Sequence, residues 1–230
     1  MAVVQYLDDL KSYRVRQLPA TAFYVGNFLD SATENYLWNK IYAVPLPKWT
    51  KVNGRRVQNW GGIVGRRALI QVNDIPAWLS SLMERFSSIQ GLFPADLKPN
   101  HVLVNEYERG QGIMPHTDGS AYYPTVVNLT LGTHAVLDLY KRGNVEADER
   151  RVHIGSLLLE PRSLFIMRDE LYADHLHGIE DRSFDTIDDK IMNISLCSRE
   201  YTDRSVLQRG TRISVTIRNI PKVARAVCCC

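Results

Sequence analysis

The run RISVTIR at 212–218 constrains this chain most. On an extended backbone Ile213, Val215 and Ile217 share one face, while Arg212, Ser214, Thr216 and Arg218 share the other. The apolar face must pack against a layer, which turns both arginines to the opposite side. Arginine is a poor interior residue unless an anion meets it. At ~3.3 Å per residue the two Cα atoms lie roughly 20 Å apart. Both side chains can still lean toward a small dicarboxylate between them, and ion pairs with protein carboxylates are the alternative. The run NHVLVNEY at 100–107 is a second such strand, with His101, Leu103, Asn105 and Tyr107 on one face and Val102, Val104 and Glu106 on the other. Asn105 and Tyr107 add uncharged donors to the pocket that the arginines border.

The stretch NEYERGQGIMPHTDGSAYYP at 105–124 brings in a different chemistry. His116 and Asp118 stand at alternate positions, so on an extended backbone both can reach one metal ion. A third ligand should come from a later strand facing them, and LYADHLHGIED offers His175 and His177. Two imidazoles and one carboxylate suit non-haem Fe(II) and leave octahedral positions open for oxygen chemistry.

The remainder of the chain frames these residues. Residues 1–18 read as an irregular arm and 22–28 as a strand. Asp30 or Ser31 caps a helix to about Val44, with Leu37, Ile41 and Val44 as its core stripe, and Pro45 and Pro47 end it. Asn53-Gly54 marks the turn of a hairpin that is aromatic, basic and poor in aliphatics. A second helix starts near Pro76, buries Leu79, Leu82, Met83 and Phe86, and stops at Gly91. Strands are expected at 126–132 and 134–140, a polar connection at 141–152, and a hairpin-like pair at 154–160 and 163–169 about Pro161-Arg162. Residues 180–190 and 198–210 read as loops. Roughly eight short strands with supporting helices predict a mainly β single domain built as two packed sheets, a sandwich or jelly roll.

Composition excludes little. Hydrophobic content of 45% supports a sizeable core, no apolar run is long enough to span a membrane, and the first residues lack a secretory pattern. The net charge of +3 matters less than its placement: no acid lies between Glu34 and Asp74, where Lys40, Lys48, Lys51, Arg55, Arg56, Arg66 and Arg67 fall. With Trp49 and Trp60 among them, these cations suit an unstacked nucleotide strand. A solvated basic loop, or Trp60 plugging the core, is the plainer reading. Cys197, Cys228, Cys229 and Cys230 form no disulfide framework, which points to a reducing compartment, cytoplasmic and nuclear. Farnesylation would need cysteine at 227, which is valine. Double-cysteine prenylation or palmitoylation is an alternative to a tail without a role.

NEY at 105–107, PHTDG at 115–119, HGI at 177–179 and RISVTIR at 212–218, in this order, resemble the AlkB-like Fe(II)/2-oxoglutarate-dependent dioxygenases, most closely the sixth AlkB homologue branch. PLPKW and QNWGG extend the resemblance over most of the chain. It implies a double-stranded β-helix over about 100–221, an N-terminal nucleotide-recognition-like lid with helices over about 20–95, and a tail at 222–230. It implies Fe(II) on His116, Asp118 and His177, leaving His175 as a neighbour. Arg212 would bind the far carboxylate of 2-oxoglutarate with help from Tyr107, while Arg218 and Asn105 stand at the iron-chelating end. Ser214 falls where the family often has asparagine. The expected reaction consumes 2-oxoglutarate and O2 and removes a methyl group from a base of RNA or single-stranded DNA. Trp49, Lys51, Arg55, Arg56, Trp60, Tyr122 and Tyr123 are the substrate candidates. Oxygenation of a protein or small molecule, and a nucleic-acid binding module with lost or weak turnover, are the competing readings. A monomer is expected.

Overall fold

A computed structural model describes residues 7, 9–66, 68–143 and 151–225. Arg67, residues 144–150 of the polar connection, and Cys228, Cys229 and Cys230 lie outside the described residues. The first strands are β1 (Ala22–Val25), β2 (Trp49–Val52), β3 (Arg55–Trp60), β4 (Gly62–Val64), β5 (Leu69–Gln71), β6 (His101–Tyr107), β7 (Ile113–His116) and β8 (Thr125–Gly132). There follow β9 (Ala135–Lys141), β10 (Val152–Leu159), β11 (Leu164–Arg168), β12 (His175–Ile179), β13 (Phe184–Thr186), β14 (Val206–Gln208), β15 (Arg212–Arg218) and β16 (Val223–Arg225). The helices are α1 (Ser31–Tyr42), α2 (Ala77–Ser87) and the short α3 (Asp169–Ala173).

Two sheets face each other. The major one has the order β1-β11-β8-β15-β6-β3-β2, and the minor one β10-β9-β12-β7. This is the jelly-roll arrangement that the strand pattern predicts, and β15 sits at the centre of the major sheet. Its apolar residues Ile213, Val215 and Ile217 are fully buried in a cluster with Leu37 and Ile41 of α1 and Leu79, Leu82, Met83 and Phe86 of α2. The helices therefore cover one face of the major sheet, and the polar residues of β15 look into the space between the sheets. Asp30 caps α1 by accepting a hydrogen bond from the Thr33 amide at 2.7 Å. The second helix ends at Ser87, four residues before Gly91, which turns the chain with a φ of +74° instead.

Several expectations are corrected, each by long-range pairing that local pattern does not report. The segments 154–160 and 163–169 do not form a hairpin: β10 pairs with β9 in the minor sheet and β11 with β8 and β1 in the major sheet. The turn at Pro161-Arg162 instead carries the chain across the sandwich. Residues 180–190 and 198–210 are not plain loops, because β13 and β14 pair within them. Asp185 of β13 is wholly buried and receives two hydrogen bonds from Arg209, at 2.6 and 2.7 Å, and one from Arg182 at 2.8 Å. The segment expected as a tail begins as a strand, β16, parallel to β5. The segment expected as a lid is tied to the core without contradicting that expectation, since it contributes β1, β2 and β3 to the major sheet. No helix among the described residues is long and apolar enough to cross a membrane.

Candidate active site

The site lies between the sheets. On the minor sheet, β12 pairs antiparallel with β7 so that His177 stands directly across from His116. Gly178 makes this close approach feasible, since a Cβ there would lie 2.9 Å from the Pro115 nitrogen. The two imidazole rings are 4.4 Å apart between centroids, and His177 Nε2 is 3.9 Å from Asp118 Oδ2. One ligand atom from each of His116, Asp118 and His177 lies within 4.8 Å of the others. His175, two residues earlier on the same strand, is directed elsewhere: its Nδ1 is 3.2 Å from the Glu170 carbonyl of α3. Only one member of the histidine pair therefore joins the cluster.

The donor atoms lie close enough together to hold a metal ion. His116 Nδ1 is 2.8 Å from the Met114 carbonyl. A carbonyl only accepts, so Nδ1 carries the proton and Nε2 keeps its lone pair. Asp118 Oδ1 accepts from Arg218 at 2.6 Å, while its buried Oδ2 has no hydrogen-bond partner. Burial alone would raise the Asp118 carboxyl, but Arg218 together with the imidazoles of His177, His116 and His101 outweighs it and holds it below the usual carboxylate range. Burial pulls His177 down to about 4, with the neighbouring His116 and Arg218 charges adding to the fall against Asp118. At neutral pH the cluster thus holds one carboxylate and, at His177, a neutral imidazole. An orphaned carboxylate oxygen facing two imidazoles fits a metal ion better than any partner the chain supplies.

The major sheet supplies the opposite wall. Arg212 is 3% exposed and its Nη2 donates to Thr130 Oγ1 at 3.0 Å and Asn128 Oδ1 at 3.3 Å, while its Nε has no partner. No carboxylate among the described residues pairs with it. Burial, with a smaller contribution from nearby Arg209, lowers its guanidinium to about 10. A buried cation without a counter-ion is costly, so the cavity is built to receive an anion. Tyr107 stands beside it, with the Arg212 guanidinium 5.7 Å from the ring centroid. Asn105, Tyr107, Ser214 and Arg218 also line this cavity, with the three candidate metal ligands.

Asn128 and Thr130 belong to this wall although no motif pointed to them. Asn128 Nδ2 donates to Ser214 Oγ at 2.6 Å and Thr216 Oγ1 at 3.1 Å, and its Oδ1 accepts from Arg212. It therefore places an amide beside Ser214. The signal was present in VVNLTLG, where a β-poor asparagine interrupts a strand of β-branched and aliphatic residues on the face opposite Val127 and Leu129.

The substrate candidates divide by strand alternation. Trp49, Lys51, Arg56 and Trp60 share the hairpin face turned toward α1. Arg56 is paired with Glu106 at 2.5 Å and lies 4.4 Å from the centroid of the Trp49 ring. Trp60 is 8% exposed in the core cluster, and its Nε1 donates to Gln58. It offers no ring face to a base. Trp60→Ala should therefore cost roughly 3–5 kcal/mol of stability, read as a lowered melting temperature, with oligonucleotide affinity per folded molecule unchanged. Lys48, part of the same basic stretch, is held by Asp74. Lys51 and Arg66 remain exposed. Arg55, on the other face, enters the cavity. Tyr122 lies against Arg218, 4.3 Å from ring centroid to guanidinium, whereas Tyr123 packs on the helix-side core.

Residues 32–218 match the 2OG-Fe(II) oxygenase superfamily, and the chain belongs to that superfamily, within its AlkB-like group. It is 40% identical over 223 residues to the zebrafish (Danio rerio) protein named "Probable RNA/DNA demethylase ALKBH6", covering 95% of this chain and 93% of that one. It is 32% identical to the uncharacterized protein L905 of Acanthamoeba polyphaga mimivirus, over 65% of this chain and 60% of that protein. Among solved structures, OsALKBH1 covers 87% of this chain and is itself covered to 99%, with a TM-score of 0.58 at 14% identity. A Burkholderia pseudomallei oxidoreductase of the 2OG-Fe(II) oxygenase family covers 97%, and is itself covered to 100%, with a TM-score of 0.57 at 11% identity. The structural likenesses carry the fold; the family match carries the chemistry. The protein is an Fe(II)/2-oxoglutarate-dependent dioxygenase, using Fe(II), 2-oxoglutarate and O2.

Proposed function

We propose that this enzyme removes methyl groups from the nitrogen of nucleobases in RNA or single-stranded DNA, with Fe(II) held by His116, Asp118 and His177. The observation that carries the chemistry is the pairing of that donor cluster with Arg212, a buried guanidinium lacking a counter-ion in the same cavity. With 2-oxoglutarate and O2, bound Fe(II) supplies oxidation of the N-methyl carbon; the co-substrate leaves as succinate and CO2, and the oxidised methyl group as formaldehyde.

The chain's own residues bind, orient and shield. Arg212 takes the far carboxylate of 2-oxoglutarate through a charge-assisted contact, with the Tyr107 hydroxyl beside it. Arg218 keeps Asp118 ionised and fixes one of its oxygens, leaving the other toward the imidazoles. Val126, Leu137, Leu159, Phe165 and Met167 line the cavity and exclude water from it. The substrate class is supported by the likeness to the zebrafish protein of that name across 95% of the chain, and by the cations Lys51 and Arg66, exposed on the hairpin and just beyond β4.

Binding of a single-stranded oligonucleotide with N-methylated bases should weaken steeply as salt rises, because phosphate contacts release counterions. Lys51→Ala with Arg66→Ala should flatten the slope of log affinity against log salt by about 0.7 for each phosphate-binding cation removed. Absence of binding at low salt, with acidic peptide bound instead, would move the substrate class to protein.

A further inference from the structure

Arg55 is out of place among the hairpin cations. Its neighbour Arg56 is matched by Glu106, but Arg55 has no carboxylate partner among the described residues. Its Nε donates to Asn105 Oδ1 at 2.9 Å, and Nη1 reaches only the Asn53 carbonyl of its own turn at 3.4 Å. It lines the same cavity as the donor cluster and Arg212.

Its placement follows from register. In the major sheet β6 lies between β3 and β15. Tyr107 of β6 pairs with Arg212 of β15 on one side. On the other side Glu106 pairs with Arg56, which places Arg55 at the level of Tyr107. Two guanidiniums therefore flank one phenol from adjacent strands, 5.9 Å (Arg55) and 5.7 Å (Arg212) from its centroid. The carboxylate nearest the metal position, Asp118, is committed to Arg218. Two cations thus border this end of the cavity and the described chain places no carboxylate between them. Like charges so placed repel, and a shared anion relieves both.

We propose that Arg55 is a second cation for the far carboxylate of 2-oxoglutarate, so that the hairpin helps to select a dicarboxylic co-substrate. This rests on the reading of Arg212 as the principal anchor. The contact is made by Arg55 Nη1 and Nη2, with Nε held on Asn105 to set the fork. The hairpin is fixed to the core sheet by β3–β6 pairing, so the cation is carried on the same frame as Tyr107 and Arg212.

The test uses the full-length protein loaded with Mn(II), and calorimetric titration with 2-oxoglutarate and with pyruvate, which keeps the 2-oxo acid and lacks the far carboxylate. Arg55→Ala should weaken 2-oxoglutarate by about tenfold, the worth of one charge-assisted hydrogen bond. Pyruvate binding should not change, and Arg55→Lys should recover part of the loss. Affinity for single-stranded RNA and its salt slope should match the parent protein. Three results would each overturn the proposal: unchanged 2-oxoglutarate affinity, equal weakening of pyruvate (an effect through Asn105 at the metal end), or loss confined to RNA binding. Arg212→Ala, titrated alongside, separates the two levels. If it loses 2-oxoglutarate and Arg55→Ala does not, this proposal alone fails; if neither does, the anchor reading fails with it.

Discussion

Replacing Asp118 with alanine is expected to abolish turnover and to destabilise the fold as well. The carboxylate has two duties: Oδ2 faces the imidazoles, and Oδ1 is the partner of Arg218, itself 4% exposed with its Nε unsatisfied. Alanine leaves that guanidinium buried and unpaired, at a cost of roughly 3–5 kcal/mol. Fe(II) affinity should fall by more than the ~10–100-fold seen when only an outer partner of a metal ligand is lost. Asp118→Asn keeps an oxygen for Arg218 and should recover much of the stability but little of the metal binding. His116→Ala provides the clean separation: its imidazole is bound only to the Met114 carbonyl among the described residues, so metal should be lost with the melting temperature nearly unchanged. Equal loss of iron from the His175 and His177 variants would contradict the ligand assignment.

The second large effect has opposite signs in two measurements. Arg212→Met removes a buried cation that lacks a carboxylate and substitutes a side chain of similar length. Such replacements are often neutral or stabilising by ~1–4 kcal/mol, so the protein without co-substrate should melt no lower than the parent. The affinity for 2-oxoglutarate should drop by about 2–5 kcal/mol, the usual cost of truncating one partner of a buried charge pair. Fe(II) binding should persist, since Arg212 does not touch the donor cluster. A destabilised variant with intact 2-oxoglutarate affinity would mean that Arg212 is a structural residue.

What could be read from the chain alone follows the range of the interactions concerned. His116 and Asp118 were legible because both lie on one short segment, and the faces of β15 because alternation is local. Choosing His177 over His175 by geometry needed β12 to be laid against β7, where register puts His177 opposite His116 and sends His175 to the Glu170 carbonyl. The basic hairpin misleads for the same reason. Its composition suggests a single substrate-facing surface, but alternation sends Trp49, Arg56 and Trp60 toward α1 and Arg55 into the cavity. Which face looks inward depends on pairing with β6, some fifty residues away in sequence. The acidic stretch at 180–190 resembles a solvated loop because its partner Arg209 lies 24 residues from Asp185. Charged residues that satisfy one another in the interior look like surface residues until their pairing is known.

The most direct measurement is product analysis after incubation with Fe(II), 2-oxoglutarate and O2. The arms are single-stranded RNA and DNA carrying N-methylated bases, their unmethylated counterparts, and methylated histone peptides. Succinate and formaldehyde are expected in equal amounts, with matching loss of methyl groups from the oligonucleotide, and with both products absent for His116→Ala. Succinate and formaldehyde released with the peptides, and none above background with any methylated oligonucleotide, would contradict the demethylation of nucleobases.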